Sequence, residues 1–335
     1  MTPLPIAVLG ATGAVGEALL DRLATSEFAG ADVGVFASRA TRKESVSFGE
    51  RTLAVQQLDS LAEVPYRLAF NALPASIARK FVPALVGRGC FVVDVGNGCA
   101  GILDAPLVLP ALRPPNPADM ASAGAARTPS AVGWLVASVF GPLLSLGATA
   151  VSGLVNLPAT AHGQRASEEL SEQVVASFNL KDPPRRIFAD GLAFDTLPED
   201  ADAGEWSERE LLAAAEVGEL LGIDPGRCAV TCCTQPVFAG MTAALHFRGA
   251  FTAEKVEISL RQAGGLSTAT LVRSLRPRKV MGRSPVYWAS IKNDPLGDGV
   301  HLWLAADNLA GAGAAVPVAA AEAVLAAGLL TRMEA

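Results

Sequence analysis

The chain contains the glycine-rich stretch Gly10-Ala-Thr-Gly-Ala-Val-Gly16, directly after the short apolar run Pro5–Leu9. A helix is predicted to follow, because apolar side chains recur at helical spacing, at Val15, Leu19, Leu20 and Leu23. Gly10 permits a tight turn, Gly13 lets backbone N–H groups approach a pyrophosphate, and Gly16 allows close packing of helix on strand. We therefore predict a dinucleotide-binding loop whose contacts come from Gly10, Thr12, Gly13, Ala14, Val15 and Gly16. A glycine turn that binds no ligand is the alternative.

Strand and helix patterns alternate through the N-terminal part of the chain. Buried strands are predicted at Val33–Ala37, Leu68–Leu73 and Cys90–Val95. Between the last two, apolar residues at helical spacing predict a helix, through Ile77, Phe81, Val82, Leu85 and Val86. This alternation is typical of an α/β, Rossmann-like doubly wound domain with a parallel sheet.

The residues after the second predicted strand bear on the choice of cofactor. An acidic residue at this place would bind the ribose 2′-hydroxyl of NAD. The chain instead has Ser38-Arg39-Ala-Thr-Arg42-Lys43, a hydroxyl and three cations. These groups suit a 2′-phosphate, so the sequence favours NADP as the cofactor, with NAD less favoured. A solvated basic turn is the alternative explanation.

The second half of the chain has a different pattern. Ser207-Glu-Arg-Glu210 has capping-box spacing and predicts a helix that ends near Gly222. Strands are predicted at Cys228–Thr234, Ala243–Phe247, Val256–Leu260 and His301–Ala305. Several strands with few helices indicate an α+β domain on a mostly antiparallel sheet. The last stretch, residues 311–335, is rich in Ala and Leu and is predicted to be helical.

The composition excludes several classes of protein. Half of the 335 residues are apolar and 18% are charged, so the chain can bury a large core and is not disordered. A net charge of −6 and only 6% aromatic residues argue against binding of nucleic acid. The five cysteines have no paired spacing and no export signal is visible, so we expect free thiols and a cytoplasmic protein.

Residues 128–161 contain no charged side chain, which is long enough to span a bilayer. Glycines and a proline interrupt the stretch, however, at Gly133, Gly141, Pro142, Gly147 and Gly153. A buried helix over about residues 130–144, followed by a buried strand over about 148–156, explains it better than a membrane span. No membrane association is therefore predicted.

Several stretches together resemble the aspartate-β-semialdehyde dehydrogenase family. They are the glycine loop, Ser38-Arg39, Val93-Asp-Val-Gly-Asn97, Ala105-Pro-Leu-Val-Leu-Pro110, Gln235-Pro-Val-Phe-Ala-Gly240 and Asp307-Asn-Leu309. The resemblance implies an NADP-binding domain of residues 1–130 with 311–335, to which Asn308 contributes, and an α+β dimerisation domain of residues 131–310. It also implies a homodimer. Such enzymes reduce an acyl phosphate to an aldehyde through a thioester on a cysteine.

The residues that this chemistry needs are replaced. The nucleophile position falls on Ser130, the acid/base histidine position on Met241, and two arginine positions on Thr234 and Ala100. Glu216 matches the family's helix glutamate, but the lysine three residues later is Glu219. The positioning glutamine falls near Leu157, with Asn156 adjacent. In these replacements the chain is similar to the cysteine-lacking bacterial paralogues of the enzyme.

Other candidate groups have structural explanations of comparable weight. Ser130 is placed to cap the helix that follows it. His162 and Arg165 either contact a ligand or belong to a surface turn. Metal-ligand spacing is absent, and the three histidines are far apart, so no metal site is predicted.

Three functional hypotheses therefore remain. The first is a semialdehyde dehydrogenase-like oxidoreductase of amino-acid biosynthesis that uses a non-family site. The second is a catalytically degenerate NADP-binding paralogue that acts as a binding or regulatory subunit for an unidentified small molecule. The third is a reductase that needs no covalent intermediate.

Overall fold

The computed structural model describes residues 3–38, 43–63, 65–96, 98–99, 101–199, 204–269 and 274–330. The chain divides into two compact units, Met1–Ala131 with Ala312–Ala335, and Val132–Gly311.

Strands and helices alternate through much of the chain. The first part of the chain contains β1 Pro5–Leu9, α1 Ala14–Leu23, β2 Asp32–Ala37, β3 Ser45–Phe48, β4 Arg51–Gln57, β5 Leu68–Asn71, α2 Ala75–Gly87, β6 Phe91–Asp94, α3 Pro117–Ala123 and β7 Ala125–Arg127. The rest contains α4 Ala131–Leu144, β8 Ala150–Leu157, α5 Gln164–Phe178, β9 Leu197–Pro198, α6 Glu208–Leu221, β10 Cys228–Thr234, β11 Met241–Arg248, α7 Ala253–Gln262, β12 Leu266–Thr268, α8 Pro277–Val280, β13 Val286–Asn293, β14 Val300–Ala306 and α9 Val316–Ala326.

The first unit contains a seven-stranded sheet in the order β3-β4-β2-β1-β5-β6-β7. All neighbouring strands are parallel except β3, which pairs antiparallel with β4 at one edge. The chain builds outward from β1 through β2 and then returns to the other side through β5. The glycine loop at the end of β1 therefore lies at the topological switch point, where α/β sheets bind their ligands.

Helices α1 and α9 share the core of this unit with the sheet. The buried cluster joins α1 and α9 to side chains of the central strands, including Leu19, Leu23, Val318, Val324, Val8, Val35 and Phe70. The last helix thus packs with the N-terminal strands. This is the doubly wound architecture predicted from the alternation of strands and helices.

The second unit contains another seven-stranded sheet, in the order β12-β13-β14-β11-β8-β10-β9. Its pairs are antiparallel except for β8 with β10 and β12 with β13. Ser207 caps α6 in a complete capping box with Glu210, and Gly222 ends the helix in the left-handed conformation. The fold class predicted from the sequence, a Rossmann-like domain with an α+β domain, is confirmed.

The strand predicted at Val256–Leu260 is wrong, because this segment lies inside helix α7. Val256, Ile258 and Leu260 alternate like a strand, but the structure buries only the first and the last, which are four residues apart on one helix face. Ile258 is exposed, and the hydroxyl of Thr252 accepts a hydrogen bond from the backbone N–H of Lys255 to cap the helix. The cap and the helical spacing outweigh the apparent alternation.

The uncharged stretch from 128 to 161 contains helix α4 and strand β8, as predicted. Within the described ranges, one helix is long and apolar enough to cross a membrane by length and composition, Asn308–Ala326. Just over half of it, 56%, is buried inside the protein. Its second half packs in the core of the first unit, and a core helix of a globular protein passes the same test.

Candidate functional site

The glycine loop after β1 makes the two close backbone approaches that the sequence predicts. Gly10 has φ +80°, and a Cβ there would lie 2.8 Å from the carbonyl oxygen of Ala72. A Cβ on Gly16 would lie 2.2 Å from the carbonyl oxygen of Gly10 and 2.6 Å from Cα of Ala11. Gly13 has more room, since its nearest such atom is 3.4 Å away. Gly10 thus makes the turn, and Gly16 brings the helix against the strand.

The N-terminus of α1 starts at this loop without a side-chain cap. Gly13 is the N-cap residue, in an extended conformation, and no side chain within the described ranges bonds to the first turn as a cap. Thr12, Ala14 and Val15 are partly exposed beside it. The backbone N–H groups of Gly10 and Ala11 both donate to the carbonyl oxygen of Phe36, at 2.9 and 3.1 Å. The loop is therefore fixed to β2, and its helix end is open to an anion.

Lys43, the last residue of the basic stretch after β2, contacts the same helix. Ser38 is partly buried at the end of β2, whereas Arg39 and Arg42 lie outside the described residues. Lys43 forms an ion pair with Glu17 in the first turn of α1. This pair holds the end of the basic segment near the glycine loop.

A buried polar cluster lies at the carboxyl ends of β5 and β6. The carboxylate of Asp94 accepts hydrogen bonds from the side-chain amide of Asn71 at 2.8 Å and from the backbone N–H of Cys99 at 2.7 Å. Burial raises the pKa of Asp94, although these hydrogen bonds oppose the shift. The backbone N–H of Thr128 donates to the carbonyl oxygen of Asp94 at 2.9 Å, and this contact fixes the chain just before Ser130. The sequence alone does not indicate a role for Asn71, because its partner Asp94 lies 23 positions away along the chain.

The residues that the sequence resemblance assigns to the family's chemical positions lie in several elements. Ser130 immediately precedes α4 and is partly exposed, while Ala100 lies outside the described residues. Met241 begins β11 and is fully buried, and Thr234 ends β10 with 3% of its surface exposed. The assignment of Ser130 as a helix cap remains a prediction.

Asn156 on β8 connects the two strands that carry Thr234 and Met241. Its amide nitrogen donates to the hydroxyl of Thr242 at 3.1 Å, and its carbonyl oxygen accepts from the thiol of Cys233 at 3.1 Å. Both partners are sequence neighbours of these two residues, Cys233 of Thr234 and Thr242 of Met241. Asn156 therefore supports the strands on either side of it.

His162 occupies the space beside Thr234. Its Nε2 atom lies 2.7 Å from the Thr234 hydroxyl and 3.9 Å from Oε1 of Glu199, whose other oxygen accepts a 3.0 Å hydrogen bond from Arg209. Burial and then the charge of Arg209 lower the pKa of His162, with Glu199 opposing them. The imidazole is therefore neutral at pH 7. Arg165, the other residue suggested for ligand contact, is exposed on α5.

Asn308 joins the loop before Met241 to the turn before His162. Its side-chain oxygen accepts from the backbone N–H of Gly240 at 3.4 Å, and its amide nitrogen donates to the hydroxyl of Thr160 at 3.3 Å. These bonds bring together, around one buried amide, the segments that contain Met241 and His162. The structure thus gives Asn308 a positioning role in the second unit.

Glu216 is buried on α6 and packs against the first turn of α4. A Cβ on Gly133 would lie 2.1 Å from Oε2 of Glu216, so the carboxylate lies directly against the helix backbone. The positive end of a helix dipole favours an anion at this place. Glu219, one turn along α6, is exposed. Of the two glutamates that the sequence marked, one is therefore part of the core and the other faces solvent.

Sequence comparison agrees with this two-part architecture. Residues 5–121 match the semialdehyde dehydrogenase NAD-binding domain, and residues 148–310 match the semialdehyde dehydrogenase dimerisation domain. The chain belongs to the semialdehyde dehydrogenase family. The family resemblance predicted from the sequence is thereby confirmed, and the chain has an NAD-binding domain and a dimerisation domain.

Similar proteins of this family are named either aspartate-semialdehyde dehydrogenase or USG-1 protein homolog. The aspartate-semialdehyde dehydrogenase of Rickettsia bellii is 27% identical over 315 residues, covering 91% of this chain and 92% of the relative. The USG-1 protein homolog of Pseudomonas aeruginosa is 28% identical over 331 residues, covering 92% and 93%. Aspartate semialdehyde dehydrogenase II of Vibrio cholerae, solved in complex with ASA, has the same fold, with a TM-score of 0.87, 24% identity and full coverage of both chains.

Proposed function

We propose that this chain is a cytoplasmic homodimer that binds NADP(H). It has lost the phosphorylating dehydrogenase reaction for which its aspartate-semialdehyde dehydrogenase relatives are named. It would act as a binding or regulatory protein for a small molecule in aspartate-family amino-acid biosynthesis. One observation carries the proposal. At the position of the family's arginine, Thr234 makes a hydrogen bond to the neutral His162, so that position offers no cation to an acyl phosphate.

The nucleophile is the second missing group. A serine hydroxyl at position 130 yields far less anion at neutral pH than a thiol, whose ordinary pKa is about 8.5. None of the five cysteines provides a substitute, because all are buried and free. Burial raises the pKa of Cys90, Cys228 and Cys232 to about 12, and the pKa values of Cys99 and Cys233 are raised as well. A thioester intermediate therefore has no thiolate from which to form.

The acid/base group and a further cation for the anionic substrate are missing as well. Met241 cannot accept or donate a proton, and general acid/base help is worth about 10²–10⁴-fold in rate. Glu219 stands where the resemblance implies a lysine and is exposed, so this position supplies no cation to an anionic substrate. Because such groups act as a unit, replacing one of them alone should recover little activity.

Binding of NADP rather than NAD is supported by the basic segment after β2. Ser38 lies at the strand end, and Lys43 forms an ion pair with Glu17 in the first turn of α1. A charge-assisted contact of Arg39 to a 2′-phosphate would contribute about 1–3 kcal/mol. Titration of both cofactors, with wild type and Arg39→Ala, tests this part. Equal affinities for NADP and NAD, or an Arg39→Ala variant with unchanged NADP affinity, would contradict it.

Homodimerisation through the second unit is supported by an apolar row across its sheet. Leu154 on β8 lies opposite Ala244 on β11, which lies opposite Trp303 on β14. Leu154 is 40% exposed although β8 is a central strand. A twofold packing of this face on its copy would cover the row. Light scattering that returned the 34.4 kDa mass of one chain at micromolar concentration would refute the dimer.

The loss of activity is tested by NADPH formation from aspartate semialdehyde and phosphate. Wild type and Ser130→Cys are compared with an aspartate-semialdehyde dehydrogenase of full activity, and both are expected to remain more than about 100-fold slower. Wild-type turnover within about 100-fold of that enzyme would show that the chain builds its site from other residues.

The His162–Thr234 hydrogen bond favours one alternative, a reductase without a covalent intermediate. In that reaction the hydrogen-bonded pair of His162 and Thr234 would relay a proton from solvent to the substrate, since a neutral imidazole can pass on one proton as it accepts another. Such an enzyme would oxidise NADPH with an aldehyde in the absence of phosphate, and His162→Gln would abolish this activity. Absence of phosphate-independent turnover across a panel of short aldehydes would exclude this alternative.

A further inference from the structure

The second unit brings two of the three histidines of the chain into contact. His246 on β11 and His301 on β14 are directly opposite each other in the antiparallel pair. Their rings stack at a centroid distance of 4.5 Å with 20° between the planes. Because they are 55 positions apart along the chain, only the pairing of β11 with β14 juxtaposes them.

Asp294 completes the cluster from the loop between β13 and β14. One carboxylate oxygen, Oδ2, lies 3.3 Å from Nε2 of His246, and the other, Oδ1, lies 3.5 Å from Nε2 of His301. One ligand atom from each of the three residues lies within 4.8 Å of those from the other two. The Nε2 atom of His246 is buried and has no hydrogen-bond partner within the described ranges. A buried nitrogen left without a partner is costly unless something binds it.

We propose that His246, Asp294 and His301 form a binding site for a divalent transition-metal ion of the zinc type. Two imidazoles and one carboxylate are ligands that zinc prefers, whereas magnesium and calcium favour oxygen ligands alone. Zinc binds such atoms at about 2.0–2.2 Å, which places neighbouring ligands of a tetrahedron about 3.3–3.5 Å apart. Each imidazole nitrogen lies at this spacing from one of the two carboxylate oxygens, at 3.3 Å from Oδ2 for His246 and at 3.5 Å from Oδ1 for His301. One ligand atom from each residue lies within 4.8 Å of the other two, so the cluster has to close slightly around an ion.

The carboxylate is held in place by its own loop. Its Oδ1 atom accepts from the backbone N–H of Leu296 at 3.1 Å, and the backbone N–H of Asp294 donates to the carbonyl oxygen of Gly299 at 2.9 Å. The backbone therefore orients this ligand before any ion binds.

Access to the site is through His301, whose side chain is about half exposed, while those of His246 and Asp294 are 20% and 6% exposed. Three protein ligands leave one tetrahedral position for water or an anion. The site does not involve the glycine loop or Thr234, so it is independent of the proposed cofactor and of the catalytic positions. His246 and His301 lie two residues from Ala244 and Trp303 on the same face of the sheet, so the site lies beside the row that is proposed to pair in the dimer.

The experiment is a titration of the purified full-length protein with Co²⁺, followed by the visible absorption bands of the bound ion, with Zn²⁺ as competitor. We expect one equivalent per chain, displaced by Zn²⁺. The variants His301→Ala, Asp294→Asn and His246→Gln should each weaken binding by at least about 100-fold, since even loss of an outer partner of a metal ligand costs 10–100-fold. His162→Ala is the matched control, because it removes the only other histidine of the chain and should leave binding unchanged.

The outcomes separate a built site from chance association. His301→Ala changes a half-exposed side chain, and its circular dichroism is expected to match that of wild type, so lost binding in this variant reports on the ligand. Binding that is lost in the three cluster variants and kept in His162→Ala supports the proposal. No Co²⁺ uptake by wild type, or uptake that is equal in His301→Ala, overturns it.

Discussion

The substitution Gly16→Ala is expected to destabilise the N-terminal unit strongly. Its Cβ would lie 2.2 Å from the carbonyl oxygen of Gly10 and 2.6 Å from Cα of Ala11, and neither backbone atom can rotate away. Forcing an extra methyl group into a packed site costs about 1–3 kcal/mol, and contacts this short belong at the upper end. In a unit of roughly 150 residues, about 3 kcal/mol corresponds to a Tm lower by about 6–12 °C. The displaced helix should also lose most of its affinity for NADP(H).

Two other glycines of the same unit provide matched controls. A Cβ on Gly13 meets no atom closer than 3.4 Å, so Gly13→Ala should cost only the replacement of a glycine N-cap by alanine, about 1 kcal/mol. The new methyl group would, however, lie where a pyrophosphate must approach, so NADP(H) binding should weaken. A Cβ on Gly30 would meet no atom within 4 Å, and Gly30→Ala should change neither property.

The assay is a thermal melt followed by circular dichroism, together with calorimetric titration of NADPH, for wild type and the three variants. A Gly16→Ala variant that melts within about 2 °C of Gly30→Ala would refute the packing argument, because even 1 kcal/mol produces a shift of that size. A Gly13→Ala variant with wild-type NADPH affinity would refute the placement of the pyrophosphate on this loop.

Three further substitutions test the second unit. Burial and the charge of Arg209 lower the pKa of His162 below its ordinary value of about 6.5. Its contribution to stability is therefore complete above that pH and falls as the pH drops. Between about pH 7 and 5, the melting temperature should decline less steeply for His162→Gln than for wild type. Burial alone would raise the pKa of Glu169, but three backbone N–H donors lower it, so the carboxylate stabilises the fold above about pH 4.3. In urea at pH 7, Glu169→Gln should lower the free energy of unfolding by about 1–3 kcal/mol. An unchanged free energy of unfolding would contradict the role of these hydrogen bonds. Gly133→Ala should destabilise the protein, because its Cβ would contact the Glu216 carboxylate. A double-mutant cycle with Glu216→Ala should give an interaction energy of about 0.5–3 kcal/mol. Additive effects of the two substitutions would show that the residues do not interact.

Several parts of the fold could be predicted because their signals are local. The capping box at Ser207 and the left-handed Gly222 set both ends of α6, since caps depend on neighbours in sequence. The strand at Cys228–Thr234 has the predicted bounds. The helix and strand within residues 128–161 were also recognisable, because glycine and proline divide the uncharged stretch. By contrast, the helix Ala253–Gln262 contains a segment predicted to be a strand. Its three alternating apolar residues fit strand alternation and also helical spacing, and only the burial of Val256 and Leu260 on one face shows that the segment is helical.

The sequence by itself determined the dinucleotide-type loop, the two-part architecture and the family, because glycine spacing and apolar periodicity are written along the chain. Tertiary structure alone decided which distant polar groups meet. Asn71 reaches Asp94 because β5 and β6 are neighbours, and His162 reaches Thr234 although 72 positions separate them. In the same way, His301 faces His246 because β14 pairs with β11. Strand order and register set these contacts, and they depend on how the whole chain packs rather than on the spacing of any short segment.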